Sequence, residues 1–371
     1  MPEEKNDYED CIISNINGHL YYNRYFHPSQ EKLCKMLESR YGKDTSAAIY
    51  PSGMCAIDSI FQIFMIENKW ESATVVYGDE LYCDTPRTIK YLNTNYVPVY
   101  MNKIKSDDDN HILDTFKSKV NRNSLTILFI EGCSNPNGNI FNFELLPQIR
   151  QLFPKKSNLK VIIDNTWVTS AIFNPLQYPD VDIVVNSLTK YYGGDRSGIM
   201  GATITKNQQI GESLINYCKI KGLHVCPLYC DEACRNIKLM DSRIHKTSEI
   251  TEKLANYLEK EKYLKVNHPR LESHPSFSRA KKFYGKLGPS VLTFEVPLKR
   301  NDALKWMRSS KFTCSTSFGA SDSRFDQWPS SKGSKSTCRF AIGYDDSIEN
   351  IKKEFDNLLL KLNKDNIHLK V

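Results

Sequence analysis

Five short runs of apolar, mostly β-branched residues stand along the first half of the chain: ATVVY (73–77), LTILFIEG (125–132), LKVIIDN (159–165), VDIVVNS (181–187) and GATIT (201–205). Between several of them lie helical or loop segments such as FELLPQIRQLF. After YPSG, residues Met54, Ile57, Phe61, Phe64 and Met65 recur at helical spacing. Continuous apolar strands alternating with helices predict a mostly parallel sheet covered on both faces. The second half reads differently. A long charged amphipathic helix is expected over 231–262, then an isolated strand SVLTFEV (290–296) and a helix from Asn301. A strand CRFAIG (338–343) and a last helix from 347 to about 362 follow. That predicts an α/β domain followed by a smaller C-terminal α+β domain, with a boundary near residue 235.

In such a sheet, ligands collect at the C-terminal ends of the strands. Those ends are YGDELY (77–82), EGCSN (131–135), DNT (164–166) and SLTK (187–190). They bring an aromatic ring, an amide, a carboxylate and a lysine to one mouth. Ser52-Gly53-Met54 opens a helix there, and the unbonded N–H groups of a first turn make an anion site. Lys190 poses the sharpest question. An ammonium at the end of a buried strand is costly without a partner, unless the side chain simply turns to solvent.

The chain has 371 residues, 40% hydrophobic and 25% charged, which suits a large globular domain or two. No apolar run is long enough to span a membrane, and the first ten residues are polar and acidic, so a cytoplasmic protein is expected. The net charge of +7 is spread without a basic run interleaved with aromatics, which argues against a nucleic-acid footprint. Eleven scattered cysteines, an odd number, favour free thiols. Cys226, Cys230 and Cys234 lie four apart, the spacing of one helix face and not the C-x2-C of structural zinc. They are expected to be small buried hydrophobes, and no metal site is expected.

The strand-end residues match what a phosphorylated pyridine aldehyde requires. Ser52, Gly53, Met54, Ser187 and Thr189 offer donors for a phosphate. Asp164 offers a carboxylate for a ring nitrogen, Tyr82 a stacking surface, and Lys190 an amine for the aldehyde. Each has a plainer reading as well: a helix cap, a turn cap, scaffold or a surface lysine.

Taken in order, these motifs resemble the Cys/Met-metabolism enzymes that use pyridoxal phosphate (PLP), the trans-sulfuration family of cystathionine γ-synthase, the cystathionine β- and γ-lyases and methionine γ-lyase. YYNRYFHPSQEKL resembles Y-S-R-x-x-N-P-T-x-x-x-L, and YPSGMCAI resembles S-G-M-A-A-I. GDELYCDT resembles D-D-L-Y-G-G-T, EGCSNPNG resembles E-S-P-x-N-P, and IIDNTW resembles V-D-N-T-F. NSLTKYYGG resembles H-S-x-T-K-Y-x-x-G, RNIKLMDSR resembles R-G-L-K-T-L-x-x-R, and CRFAIGYDD resembles I-R-L-S-V-G-x-E-D.

The resemblance implies a type I PLP-dependent transferase fold and particular roles. Lys190 would hold PLP and shuttle protons. Tyr82 would stack on the ring and act as acid or base, and Asp164 would pair with the pyridinium. Ser52, Gly53, Met54, Ser187 and Thr189 would bind the phosphate. Tyr22 and Arg24, in an arm over 1–25, would reach the phosphate of a neighbouring subunit, making a homodimer or homotetramer with shared sites. The large PLP-binding domain would run over 26–235 and the small domain over 236–371. Arg339 would clamp the α-carboxylate of an amino-acid substrate, with Asn135 and Ser317 beside it. The alternative for Arg339 is a structural ion pair with Asp345 or Asp346. Carbon–sulfur elimination on a substrate such as cystathionine is the reading favoured by a small margin. A γ-replacement transferase and a non-catalytic PLP-binding paralogue stay open.

The pattern also breaks in places. The arm is short, which puts a tetramer in doubt. Asp195 stands where the family has His, and Ser197 where it has Asp. Cys83 falls one position before the cysteine of methionine γ-lyases. The segment from Ser317 to Arg339, which walls the substrate side chain, is shortened.

Overall fold

The computed structural model describes residues 14–16, 19–20, 27–67, 72–92, 98–195, 198–326 and 329–364. Two short strands, β1 (Ser14–Ile16) and β2 (His19–Leu20), pair with each other. The large sheet is built from β3 (Ser46–Tyr50), β4 (Ala73–Gly78), β5 (Val99–Ile104), β6 (Leu125–Glu131), β7 (Leu159–Asp164), β8 (Ile183–Ser187) and β9 (Gly201–Thr205). Their order is β3-β9-β8-β7-β6-β4-β5, and β9 alone runs antiparallel to both its neighbours. The five apolar runs form β4, β6, β7, β8 and β9, within a residue or two of the expected bounds. Pattern reading passed over β3, which is rich in alanine, and β5, a half-exposed edge strand.

Alternate residues of the central strands feed different cores, which is why both faces had to be apolar. Ile127 and Phe129 join one cluster with Ile57, Phe61 and Phe64 of the helix Gly53–Glu67. Leu128 and Ile130 join the other, with Leu33 and Leu37 of the helix Pro28–Tyr41. The long helix Pro227–Asn256 docks on that second face through Cys230, Ala233, Cys234 and Ile237. From Ile250 onward its buried residues belong to a separate core, so it crosses position 235 unbroken and changes partner between Ile244 and Ile250. It ends in a π-turn, Tyr257–Glu261, before the expected end at 262.

That separate core lies under a second sheet of β10 (Val266–Asn267), β11 (Val291–Val296), β12 (Thr313–Cys314), β13 (Arg324–Phe325), β14 (Ser330–Lys332) and β15 (Lys335–Ala341). The strand expected to be isolated, β11, is paired on both sides, with β10 and with β15. The helices Arg300–Arg308 and Ile348–Lys364 complete the layer. Its core is aromatic: Phe294, Phe325, Phe340 and Phe355 contact one another at ring separations of 4.8–6.3 Å. Among the described residues no helix is long and apolar enough to cross a membrane.

Candidate active site

A cavity of about 750 Å³ opens where the strand ends of the large sheet meet β15. Ser52, Gly53, Met54, Tyr82, Asn135, Asp164, Ser187, Thr189, Lys190 and Arg339 all line it. Ser317 joins them by accepting a hydrogen bond from Lys190 Nζ at 3.1 Å. Tyr22 and Arg24 lie outside the described residues.

The floor is made where β8 and β9 pass the start of the Gly53–Glu67 helix. Ser52 caps that helix: its Oγ accepts from Cys55 N at 3.0 Å, and its carbonyl accepts from Ala56 N at 3.1 Å. The N–H groups of Gly53 and Met54 come before any helical acceptor and form a positive end. Gly201 is required here. A Cβ on it would stand 2.3 Å from the Ser52 carbonyl oxygen, so the backbones touch where a side chain would be. The Thr189 hydroxyl donates to the Met200 carbonyl at 3.2 Å and accepts from Met200 N at 3.1 Å, which fixes the loop before Lys190.

Lys190 is mostly buried. Its Nζ sits 5.1 Å above the Phe318 ring and beside Ser317. Burial, reinforced by the charges of Arg339 and Arg324, lowers its pKa to about 8. The segment carrying Ser317 and Phe318 comes this close because Gly319, at φ +84°, turns it against the chain. A Cβ there would lie 2.7 Å from Tyr191 N. Asp195 fastens the same region from the other side, accepting from Ser321 N at 2.9 Å and from the Tyr344 hydroxyl at 2.5 Å. Asp195 thus ties the lysine loop to the turns before β13 and after β15.

Two carboxylates end neighbouring strands. Asp164 on β7 and Glu131 on β6 are register partners, both buried. Asp164 accepts from Thr166 N at 2.9 Å, yet burial outweighs this and raises its pKa. Glu131 is raised well above the usual carboxylate range, first by burial and then by the charge of Asp164. Its Oε1 accepts the N–H of Tyr82, while its Oε2 is buried and has no hydrogen-bond partner among the described residues. Glu80 binds the loop of Tyr82 to that of Asn135, through Ser134 Oγ at 2.6 Å and through Asn137. Tyr82 itself stands 44% exposed at the mouth, its hydroxyl kept protonated by burial and by Asp84.

Arg339 lies within β15, which begins three residues before the expected strand. Its Nη1 donates to Asn135 Oδ1 at 3.1 Å and its Nη2 to the Thr316 carbonyl at 2.6 Å. Nη2 also lies 3.2 Å from Asp326 Oδ2. The ion-pair partner is therefore Asp326, the residue just after β13, in place of Asp345 or Asp346: the β13–β15 pairing ends at Phe325 opposite Phe340, and Asp326 N continues it by donating to the Arg339 carbonyl at 2.9 Å, whereas Asp346 accepts from Ser323 N. Pattern reading did not single out Glu131, Phe318 or Asp326. Glu131 ends one of the quoted strands, but nothing in its spacing marks it. Asp326 is brought in by strand pairing alone. Of the three clustered cysteines, Cys230 and Cys234 are buried and Cys226 is exposed. Among the described residues no group of three or more His, Cys, Asp or Glu is arranged to hold a metal ion.

The profile of the Cys/Met metabolism PLP-dependent enzymes matches residues 4–337. A cystathionine beta-lyase of Schizosaccharomyces pombe is 26% identical over 367 residues, covering 93% of this chain and 88% of its own. A cystathionine gamma-synthase of Haemophilus influenzae is 28% identical over 254 residues, covering 68% of this chain and 63% of its own. The solved structure of metB from Corynebacterium glutamicum superposes with a TM-score of 0.79 at 21% identity, covering 93% of this chain and 88% of that one.

Proposed function

Since the chain belongs to the Cys/Met metabolism PLP-dependent enzymes, we propose that the cavity at the strand ends is its catalytic site and that Lys190 holds the cofactor there. The protein is a PLP-dependent enzyme of the trans-sulfuration type, a lyase or a synthase. Within that range we favour carbon–sulfur elimination on a substrate such as cystathionine. The fission-yeast relative that matches 93% of this chain carries the name of a cystathionine β-lyase.

The donor set fits the cofactor. The Gly53 and Met54 N–H groups and the Ser187 hydroxyl suit a phosphate, Thr189 would join them by giving up its bond to the Met200 carbonyl, and Gly201 lets β9 lie against the start of that helix. The buried Asp164 carboxylate suits a cationic ring N–H, which would offset the desolvation that raises its pKa. Bound PLP supplies an electron sink for bonds broken next to the α-carbon of an amino acid.

The protein's own groups do the rest. Lys190 Nζ, with a pKa near 8, has a useful neutral fraction at physiological pH and takes up the α-proton. Ser317 holds Nζ in place through the 3.1 Å hydrogen bond. Asp164 keeps a proton on the ring nitrogen. Tyr82, whose hydroxyl stays protonated at the mouth of the cavity, would lie against the cofactor ring and could give a proton to the leaving group. Arg339, oriented by Asn135, receives the α-carboxylate through its planar fork. The observation that carries this reading is the convergence of Lys190, Ser317, Asn135 and Arg339 from four separate segments on one cavity.

Borohydride reduction of the PLP-loaded protein followed by peptide mass spectrometry tests it. The phosphopyridoxyl group is expected on Lys190, and finding it elsewhere, or nowhere, overturns the assignment. Tyr22 and Arg24 are proposed to reach the phosphate of a neighbouring subunit in a homodimer or homotetramer. Mixing inactive Arg24→Ala with inactive Lys190→Ala protein should then restore part of the activity. An active monomer would refute the shared site.

A further inference from the structure

Arg339 meets the cavity with a carboxylate already at its side. Asp326 stands one residue past the end of the β13–β15 ladder, where its N–H donates to the Arg339 carbonyl at 2.9 Å. Their side chains close to 3.2 Å, both line the cavity, and they are only 11% and 19% exposed for arginine and aspartate respectively. A group suited to clamp an α-carboxylate is thus electrically neutralised by the chain itself. Resting on the clamp role proposed for Arg339, we infer that Asp326 is a specificity-determining residue. It favours amino acids whose side chain ends in an ammonium group over those with a neutral or anionic end.

Arg339 and Asp326 together sum to zero charge. An incoming α-carboxylate brings a second negative group to the same guanidinium, in a place where little water screens the repulsion. A substrate that also carries a cation on its side chain restores the balance, and Asp326 is the acceptor it meets. Arg300 lines the same cavity and by its charge would favour an anionic end. It is exposed, so salt and water weaken its influence, whereas Asp326 is largely buried and touches the clamp. Among the described residues, Lys190 and Arg87 also line the cavity and Arg324 lies near Lys190; Arg87 is exposed and paired with Asp84, and none of the three changes from one ligand to the next, so they do not set the order among ligands.

Three cysteine thioethers of similar size separate the possibilities: S-(2-aminoethyl)cysteine, S-propylcysteine and S-(2-carboxyethyl)cysteine. Their dissociation constants are measured by calorimetry on PLP-saturated Lys190→Ala protein, which binds without turnover. With Asp326 present, the aminoethyl compound should bind about tenfold tighter than the propyl compound, and the carboxyethyl compound weakest. In the Asp326→Asn background the propyl compound should tighten and the preference for ammonium should fall to about twofold or less. The inference is overturned if the protein with Asp326 prefers the propyl or carboxyethyl compound, or if Asp326→Asn leaves the ratios as they were. Should Asp326→Asn not fold, the order of the three ligands with Asp326 intact decides by itself. Borohydride trapping on the protein with Lys190 intact reports separately on the catalytic-site reading.

Discussion

If Lys190 is to accept a proton near neutral pH, its amine has to be available in the neutral form, and the cavity provides for this. Burial is the main cause of the lowered pKa, followed by Arg339 and then Arg324, and together they bring it from 10.5 to about 8. At pH 7.5 an amine of pKa about 8 is neutral in roughly one molecule in four, against about one in a thousand at 10.5, a gain of roughly 240-fold. Competitive acylation of the PLP-free protein measures this directly. A trace amine-directed reagent is applied from pH 6 to 11, and each lysine's labelling is read by mass spectrometry. Labelling of Lys190 should reach half its maximum near pH 8, while exposed lysines such as Lys117 provide the internal reference. Arg339→Met removes the second cause and should move the Lys190 midpoint upward. A midpoint for Lys190 indistinguishable from that of exposed lysines would refute the argument, because burial would then not be disfavouring its charge.

Two further tests concern how the site is held. Burial and Asp164 raise the folded-state pKa of Glu131 above its unfolded value. Its acid form therefore contributes stability that is complete below the unfolded pKa and lost as pH rises through the folded one. Glu131→Gln keeps an acceptor for Tyr82 N–H and removes that loss, so it should raise the melting temperature at pH 8 and leave it nearly unchanged at pH 5. The opposite pH trend would mean Glu131 is stabilised as a carboxylate. Gly201→Ala forces a methyl group against the Ser52 carbonyl and should cost about 1–3 kcal/mol, the usual range for overpacking. Retained PLP affinity and an unchanged melting curve would show that this contact gives way freely.

The local sequence determined much of this protein. The apolar runs that became β4, β6, β7, β8 and β9 were legible because a strand covered on both faces must be apolar at every position, and such runs stand out without any tertiary information. Asp164, Ser187 and Lys190 could be placed at strand ends for the same reason, since a strand's end is a local property. Their order along the chain, together with the motifs around Ser52, Tyr82, Asn135 and Arg339, pointed to the cofactor. The edge strand β5 escaped because its exposed positions erase the pattern, and β3 because alanine carries little strand signal. What only the tertiary structure decided is pairing across distance. Asp326 reaches Arg339 through strand register, Glu131 reaches Tyr82 across two loops, and Gly319 lets Phe318 press on Lys190 from more than a hundred residues away. No periodicity encodes these contacts, because each depends on two segments whose approach is set by the packing of everything between them. The same holds for the charge on Lys190, which is fixed by the burial and the guanidinium groups that the assembled fold brings around it.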